Sequence, residues 1–375
     1  MALPPVEILW ITENYFPATG GMAQSCDRIV SGLRKNGFRI HVLYLVNEKK
    51  KFKSENTRNG TLVHFPVTTD TAHSINLLWN YLSGSKSITT LNAIVAFGGN
   101  LPVFIAPIFA QWLQLKLITL IRGNDFDTAL FTPKKRDDLF YALTNSRSIV
   151  TVAQSTTTKI AHLFPQACVQ TISNGIDFNH CVLYKSDLEA ARNIKANLQQ
   201  PGKRIIGLFG HLKQKKGVDF FIEALYKSGK SALFQLLLIG ETDPIITQML
   251  AETEILYQHI PYLPQPDLLK YYAVCDLMAI PSHYDGLPNV LLEAAALQCP
   301  VLVSDAGGLI DVVPDPDYGL LFKAGNLSDC IQTINRLTEC SGELLHSKAV
   351  NLYNRVKTQF SSETEIEKYK ELLSN

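Results

Sequence analysis

No C-x-x-C pair occurs in this chain, although it holds seven cysteines: Cys26, Cys168, Cys181, Cys275, Cys299, Cys330 and Cys340. Scattered and mostly set in apolar runs, they read as reduced core thiols rather than a disulfide framework or a zinc site. Low-complexity tracts and fixed-period repeats are missing too, which leaves an ordinary globular composition. The N-terminus has no basic-then-apolar leader and enters a strand almost at once, so a cytoplasmic protein is expected. Behind that first strand there is neither G-x-x-x-x-G-K-[ST] nor G-x-G-x-x-G, and the P-loop and ordinary dinucleotide readings lose support. The longest apolar run, Leu101 to Ile121, has membrane-spanning length. It contains Pro102, Pro107, Gln111, Gln114 and Lys116, and a central lysine costs roughly 2.5–3.5 kcal/mol on insertion. A buried helix to about Leu113 and a strand from Lys116 to Ile121 explain it better.

What is present suits two domains: 375 residues, 46% hydrophobic and 18% charged. Strand-like runs stand at Val6–Ile11, Arg39–Leu45, Thr61–Phe65, Asn92–Phe97, Lys116–Ile121, Ser148–Val152 and Cys168–Ile172. Helical patterns lie between them at Met22–Lys35, Ile75–Ser87, Val103–Leu113, Lys135–Asn145 and Thr156–Leu163. This alternation with continuous apolar strands predicts an α/β fold with a parallel sheet covered on both faces. The rhythm breaks between about 173 and 202, where a turn, a polar stretch and a helix Asp187–Leu198 intervene. It resumes with strands at Ile205–Phe209, Leu233–Ile239, Leu277–Ile280 and Val301–Val303. From Gly342 the chain reads as two helices punctuated near Ser361. Ligands in open parallel sheets bind beyond the carboxyl ends of the strands, so the chemistry is expected in strand-exit loops.

Those loops carry unusual residues. After Leu277–Ile280 comes a turn with Asp285 and Gly286, then a helix with Glu293 one turn inside it. Two carboxylates flank an anion-friendly backbone, which suits the hydroxyls and diphosphate of a sugar nucleotide. An ordinary strand–turn–helix with solvated acids is the competing reading. After Ile205–Phe209, His211, Lys213, Lys215 and Lys216 precede a helix Val218–Lys227, where cations oppose the helix dipole unless an anion sits nearby. A solvated basic turn is the plainer alternative. After Lys116–Ile121 comes Arg122-Gly-Asn124-Asp125-Phe-Asp127, a charged cluster leaving a buried strand. Gly20 and Gly21 precede the first helix as an anion-tolerant nest or a flexible loop. The D-x-D pairs at Asp125/Asp127 and Asp315/Asp317 are discounted as metal sites, because two residues of spacing arise often by chance.

The segment D-G-L-P-N-V-L-L-E, Asp285 to Glu293, resembles the nucleotide-binding signature of retaining glycosyltransferases with the GT-B fold, of the large family 4 (group 1) type. Asp285 stands for the first of the family's two glutamates. Lys216-Gly217 matches the family's Lys-Gly, while His211 stands where its arginine is expected. The resemblance implies two Rossmann-like domains facing a cleft: residues 1–175 for the acceptor and 176–355 for the donor. A terminal helix, 356–375, would cross back to the first domain. It implies a hexose moved from a nucleotide-sugar donor to an acceptor hydroxyl, with retention and without a metal or other cofactor. Lys216, His211 and the nest Gly20–Gly21 would face the diphosphate or donor. Glu293 would hold the ribose and Asp285 would read a sugar hydroxyl. Gly286, Leu287, Pro288 and Asn289 would line the same loop, with Gly240, Tyr262 and Leu263 near the nucleobase. Asp125 would lie near the transferred sugar, Arg122 would orient Asp125 or bind an acceptor, and Asn124 would lie near that small-molecule, glycan or lipid-linked acceptor. A sugar-nucleotide epimerase, a glycoside phosphorylase and a non-catalytic sugar-nucleotide binder are the alternatives.

No nucleic-acid partner is expected. Residues 1–175 carry 17 Lys+Arg against 10 Asp+Glu, and residues 176–375 carry 18 against 24. The densest basic patch is Glu48 to Lys53. It reads as a solvated loop, or as contact with an anionic acceptor or an anionic membrane surface.

Overall fold

The computed structural model describes residues 6–18, 20–47, 49–85, 89–123 and 125–374. They form two compact units: residues 1–174 together with Glu365–Asn375, and Gly175–Thr364.

The first unit is built on β1 (Glu7–Thr12), β2 (Arg39–Asn47), β3 (Lys53–Thr57), β4 (Gly60–Val67), β5 (Ala93–Phe97), β6 (Lys116–Ile121), β7 (Ser148–Thr151) and β8 (Val169–Thr171). Their order in the sheet is β3-β4-β2-β1-β5-β6-β7-β8. Every pairing is parallel except β3 with β4, a hairpin closed by Thr57 opposite Gly60. Parallel strands need helical crossovers that cover both faces. Accordingly β1 and β5 are buried along their whole length.

The second unit is built on β9 (Arg204–Phe209), β10 (Phe234–Ile239), β11 (Tyr257–Ile260), β12 (Leu277–Ile280), β13 (Val301–Ser304) and β14 (Leu320–Phe322). The order is β11-β10-β9-β12-β13-β14, all parallel. That is the doubly wound 3-2-1-4-5-6 order, whose direction of winding reverses between its first and fourth strands. Here the switch point lies between β9 and β12. In the first unit the same reversal lies between β1 and β5.

The run Leu101–Ile121 is core, as its prolines and lysine suggest. The helix Asn100–Leu113 buries Val103, Ile105, Ala106, Phe109 and Ala110, and β6 follows it. Among the described residues no helix is long and apolar enough to cross a membrane.

Three local expectations are corrected. Lys53 does not end a loop but opens the edge strand β3; Glu48 lies outside the described residues. The helix expected to start at Ile75 starts instead at Thr71 and runs to Ser83, because the Asp70 side chain accepts a hydrogen bond from the His73 N–H and caps it four residues earlier; its expected end, Ser87, lies outside the described residues. The terminal segment does not leave the second unit at residue 356. Helix Gly342–Gln359 keeps Val356 and Phe360 in that unit's core. In helix Ser362–Ser374 it is Ile366, Tyr369 and Leu373 that join the core of the first unit.

Candidate active site

The switch point of the second sheet gathers the residues the sequence singled out. The turn after β9 ends at Gly217, whose φ of +63° suits glycine, and a Cβ there would stand 2.0 Å from the Pro281 carbonyl oxygen. Only a residue without a side chain lets this turn lie against the exit of β12. A hydrogen bond from the His283 N–H to the Lys215 carbonyl, 3.0 Å, ties the two loops together. Lys216 is thereby carried to Asp285, and its Nζ donates to Asp285 Oδ2. The pair is partly buried, with side chains 26% and 15% exposed.

Asp285 is also held from its own loop. Oδ1 accepts the Gly286 N–H at 3.0 Å, and Ser282 Oγ lies 3.5 Å from Oδ2. The exit of β13 braces the same turn, through Gly308 N–H to the Gly286 carbonyl and Ser304 Oγ to the Ser282 carbonyl, each 2.6 Å. Leu287 is buried beneath it, Pro288 directly precedes the helix Asn289–Ala296, and Asn289 opens that helix.

Glu293 lies on the buried face of that helix, 4% exposed. A carboxylate in such a place needs hydrogen-bond donors. Gln265 Nε2 donates to Oε1 at 2.9 Å, and the Tyr272 hydroxyl to Oε2 at 2.6 Å. Burial, then the nearby Glu293 charge, pushes the Tyr272 phenol well above its usual 10, so it stays a donor. Tyr272, Gln265 and Ser282 are site residues that sequence reading missed, since nothing in their local pattern marks them.

His211 leaves β9 with its ring 58% exposed and Nδ1 3.5 Å from Glu241 Oε2. Glu241 follows Gly240 at the exit of β10, and the His259 ring contacts the Gly240 carbonyl at 2.8 Å. Tyr262 is exposed, while Leu263 packs on the unit's core.

With this geometry in place, the chain can be compared with known proteins. Residues 203–340 match the family model described as glycosyl transferases group 1. Over that domain the chain is similar to the group 1 glycosyltransferases.

Relatives extend the likeness beyond the domain. An uncharacterized glycosyltransferase of Methanocaldococcus jannaschii is 23% identical over 344 residues, 84% of each chain. A GDP-mannose-dependent phosphatidylinositol monomannoside mannosyltransferase of Mycolicibacterium smegmatis is 23% identical over 90% of this chain and 89% of that one. Among solved structures, sucrose-phosphate synthase of Thermosynechococcus elongatus superposes with a TM-score of 0.82 at 16% identity, covering 98% of both chains. Anabaena HepE in complex with UDP and glucose gives 0.78 at 18% identity, covering 98% and 99%. The fold is GT-B.

The first unit presents its own strand-exit loops. Gly20 precedes the helix Gly21–Lys35, and the space a side chain would take at Gly20 is open. Asp125 opens a short helix, Asp125–Leu130, and its Oδ2 accepts the Arg122 N–H at 3.1 Å. Asp127 is spent on Lys159, 2.7 Å away. Asn124 lies outside the described residues.

Of the two roles expected of Arg122, orienting Asp125 or binding an acceptor, the second is corrected. The guanidinium expected to meet an acceptor is turned inward, with its side chain 1% exposed. It donates to the Tyr369 hydroxyl at 3.0 Å and to Asn174 Oδ1, and it lies over the Phe97 ring. A buried cation is stable only where its donors find acceptors, and these lie inside the unit.

Glu13, at the exit of β1, was also missed. Its Oε2 accepts the Leu101 N–H at 3.1 Å, near the start of helix Asn100–Leu113. Burial raises its carboxyl above the ordinary 4.5, and Asp125 adds to the rise. Its only sequence signal is an acid directly after a buried strand.

Proposed function

We propose that this glycosyltransferase moves a hexose from a nucleotide-sugar donor to an acceptor hydroxyl, with retention of anomeric configuration and without a metal. One observation carries the reading: the Gly217 turn delivers Lys216 to the loop that opens the Asn289–Ala296 helix. A diphosphate bound there meets an ammonium and the positive end of a helix, and both stabilise the charge that develops on the leaving group. A lysine about 4 Å from a phosphate charge is worth around 4 kcal/mol at an effective dielectric of 20.

Glu293 takes the ribose hydroxyls, and Asp285 reads a sugar hydroxyl while holding Lys216. Asp125 is assigned to the transfer itself, beside the sugar. The acceptor hydroxyl attacks the anomeric carbon from the face the diphosphate leaves, and a phosphate oxygen takes its proton. Relatives support a hexosyl donor: one structure holds UDP and glucose, and one relative is a GDP-mannose-dependent mannosyltransferase. We place the reaction in the cytoplasm, with the basic first unit able to meet an anionic membrane surface peripherally.

The test is a panel of UDP-glucose, UDP-N-acetylglucosamine and GDP-mannose with sugar and lipid-linked acceptors. Nucleoside diphosphate and an α-linked product are expected together. A changed sugar without release would mark an epimerase, and binding without turnover a non-catalytic protein.

A further inference from the structure

The buried contacts of Arg122 have no part in donor binding, yet they converge on one residue from three separate stretches of chain. Phe97, at the end of β5, lies under the guanidinium with its ring centroid 5.1 Å away. Asn174 is the last residue of the first unit before the chain leaves it, and its Oδ1 accepts from Arg122. Tyr369 comes from the terminal helix and accepts at 3.0 Å. From the same helix, Glu365 places Oε1 3.9 Å from the guanidinium and is itself held by Arg28 Nε at 2.8 Å. Arg122 is therefore anchored by its planar fork, which leaves the residue little freedom to turn.

The same residue's main chain faces the other way. Its N–H donates to Asp125 Oδ2 at 3.1 Å. Gly98, with φ of +45°, makes room for both groups: a Cβ there would stand 3.1 Å from Asp125 Oδ2 and 3.2 Å from Arg122 Cγ. The carboxylate and the stem of the arginine thus share one small space above Gly98. Any rotation of Arg122 carries with it the donor that aims Asp125.

We propose that Arg122 and Tyr369 are positioning residues for Asp125, so that the terminal helix sets the geometry of the transfer step without touching substrate. This rests on the role assigned to Asp125 above. It differs from a purely structural role, in which the network only fastens the terminal helix to the first unit. A site held within about 0.5 Å depends on such a supporting shell, and misplacement by about 1 Å from a remote change is worth as much as 100-fold in rate.

The test is a double-mutant cycle on the full chain with Tyr369→Phe and Asp125→Asn. It reads initial nucleoside diphosphate release from whichever of UDP-glucose, UDP-N-acetylglucosamine and GDP-mannose is turned over fastest, well below the unfolding temperature. Tyr369→Phe is expected to lower kcat about tenfold and leave the donor KM unchanged. Asp125→Asn is expected to lower kcat at least as much, and the double variant to match Asp125→Asn alone, because coupled residues are non-additive. Should Tyr369→Phe not fold, Arg122→Lys takes its place in the cycle; it keeps the charge but loses the fork that spans Tyr369 and Asn174. A Tyr369→Phe variant that loses stability and keeps kcat overturns the proposal. So does a cycle in which the two losses multiply. An unaffected Asp125→Asn instead removes the role assigned to Asp125, and the proposal with it.

Discussion

At the scale of single residues, environment decides what each carboxylate can do. Glu13 and Glu293 are both withdrawn from water, but Glu293 is met by two side-chain donors while Glu13 relies on backbone N–H groups at the start of a helix. Those bonds lower the Glu13 carboxyl less than burial raises it. A raised folded-state value means that its proton stabilises the fold below 4.5, and that this contribution is lost as pH rises through the higher folded value. Glu13→Gln keeps an amide oxygen for the Leu101 N–H and removes the buried charge. Its unfolding free energy should equal the parent's near pH 4 and exceed it near pH 7.5. Thermal unfolding at the two pH values checks this; an equal difference at both would place the charge in water. Arg122 shows the limit of reading residues singly. Its charge and place after a buried strand were legible, but its direction is fixed by Asn174 and Tyr369, 52 and 247 positions away.

At the scale of elements, much was legible because continuous apolar runs and helical periods leave little choice. Lys116–Ile121, Leu277–Ile280 and Val218–Lys227 fall where the sequence places them. The edge strand Lys53–Thr57 did not show, since K-S-E-N-T has no apolar alternation and only Asn59-Gly60 marks its hairpin. The close approach at Gly217 was equally invisible, although Lys216-Gly217 itself was noticed. Gly217→Ala must displace the Pro281 carbonyl and adopt an unfavourable φ, a strain of about 1–3 kcal/mol. Gly202→Ala is the control, because its φ of +75° is similar and nothing lies within 4 Å of its Cβ. Both should lose stability, and only Gly217→Ala should lose nucleoside diphosphate affinity as well. Equal affinity in the two variants would separate the turn from the site.

At the scale of the whole molecule, the charge is divided unevenly. The first 175 residues carry 17 Lys+Arg and 10 Asp+Glu, and Lys49, Lys50 and Lys51 stand exposed beside Phe52, which is 50% exposed. Each lysine near an anionic surface contributes about 1 kcal/mol, screened by salt. Co-sedimentation with phosphatidylserine vesicles is expected at low salt, falling at physiological salt and on replacing the three lysines by glutamate. Equal partitioning to neutral vesicles, or none to either, would assign the basic patch to a soluble acceptor.

The donor assignment depends most on Lys216, and calorimetric titration of UDP, GDP and ADP into the parent and into Lys216→Ala tests it most directly. At least one nucleotide should bind the parent. The variant should bind it about 10- to 100-fold more weakly, as expected for a charged hydrogen bond of about 1.5–3 kcal/mol. Identical affinities in a folded Lys216→Ala variant would contradict the assignment of the Lys216–Asp285 loops to the donor diphosphate.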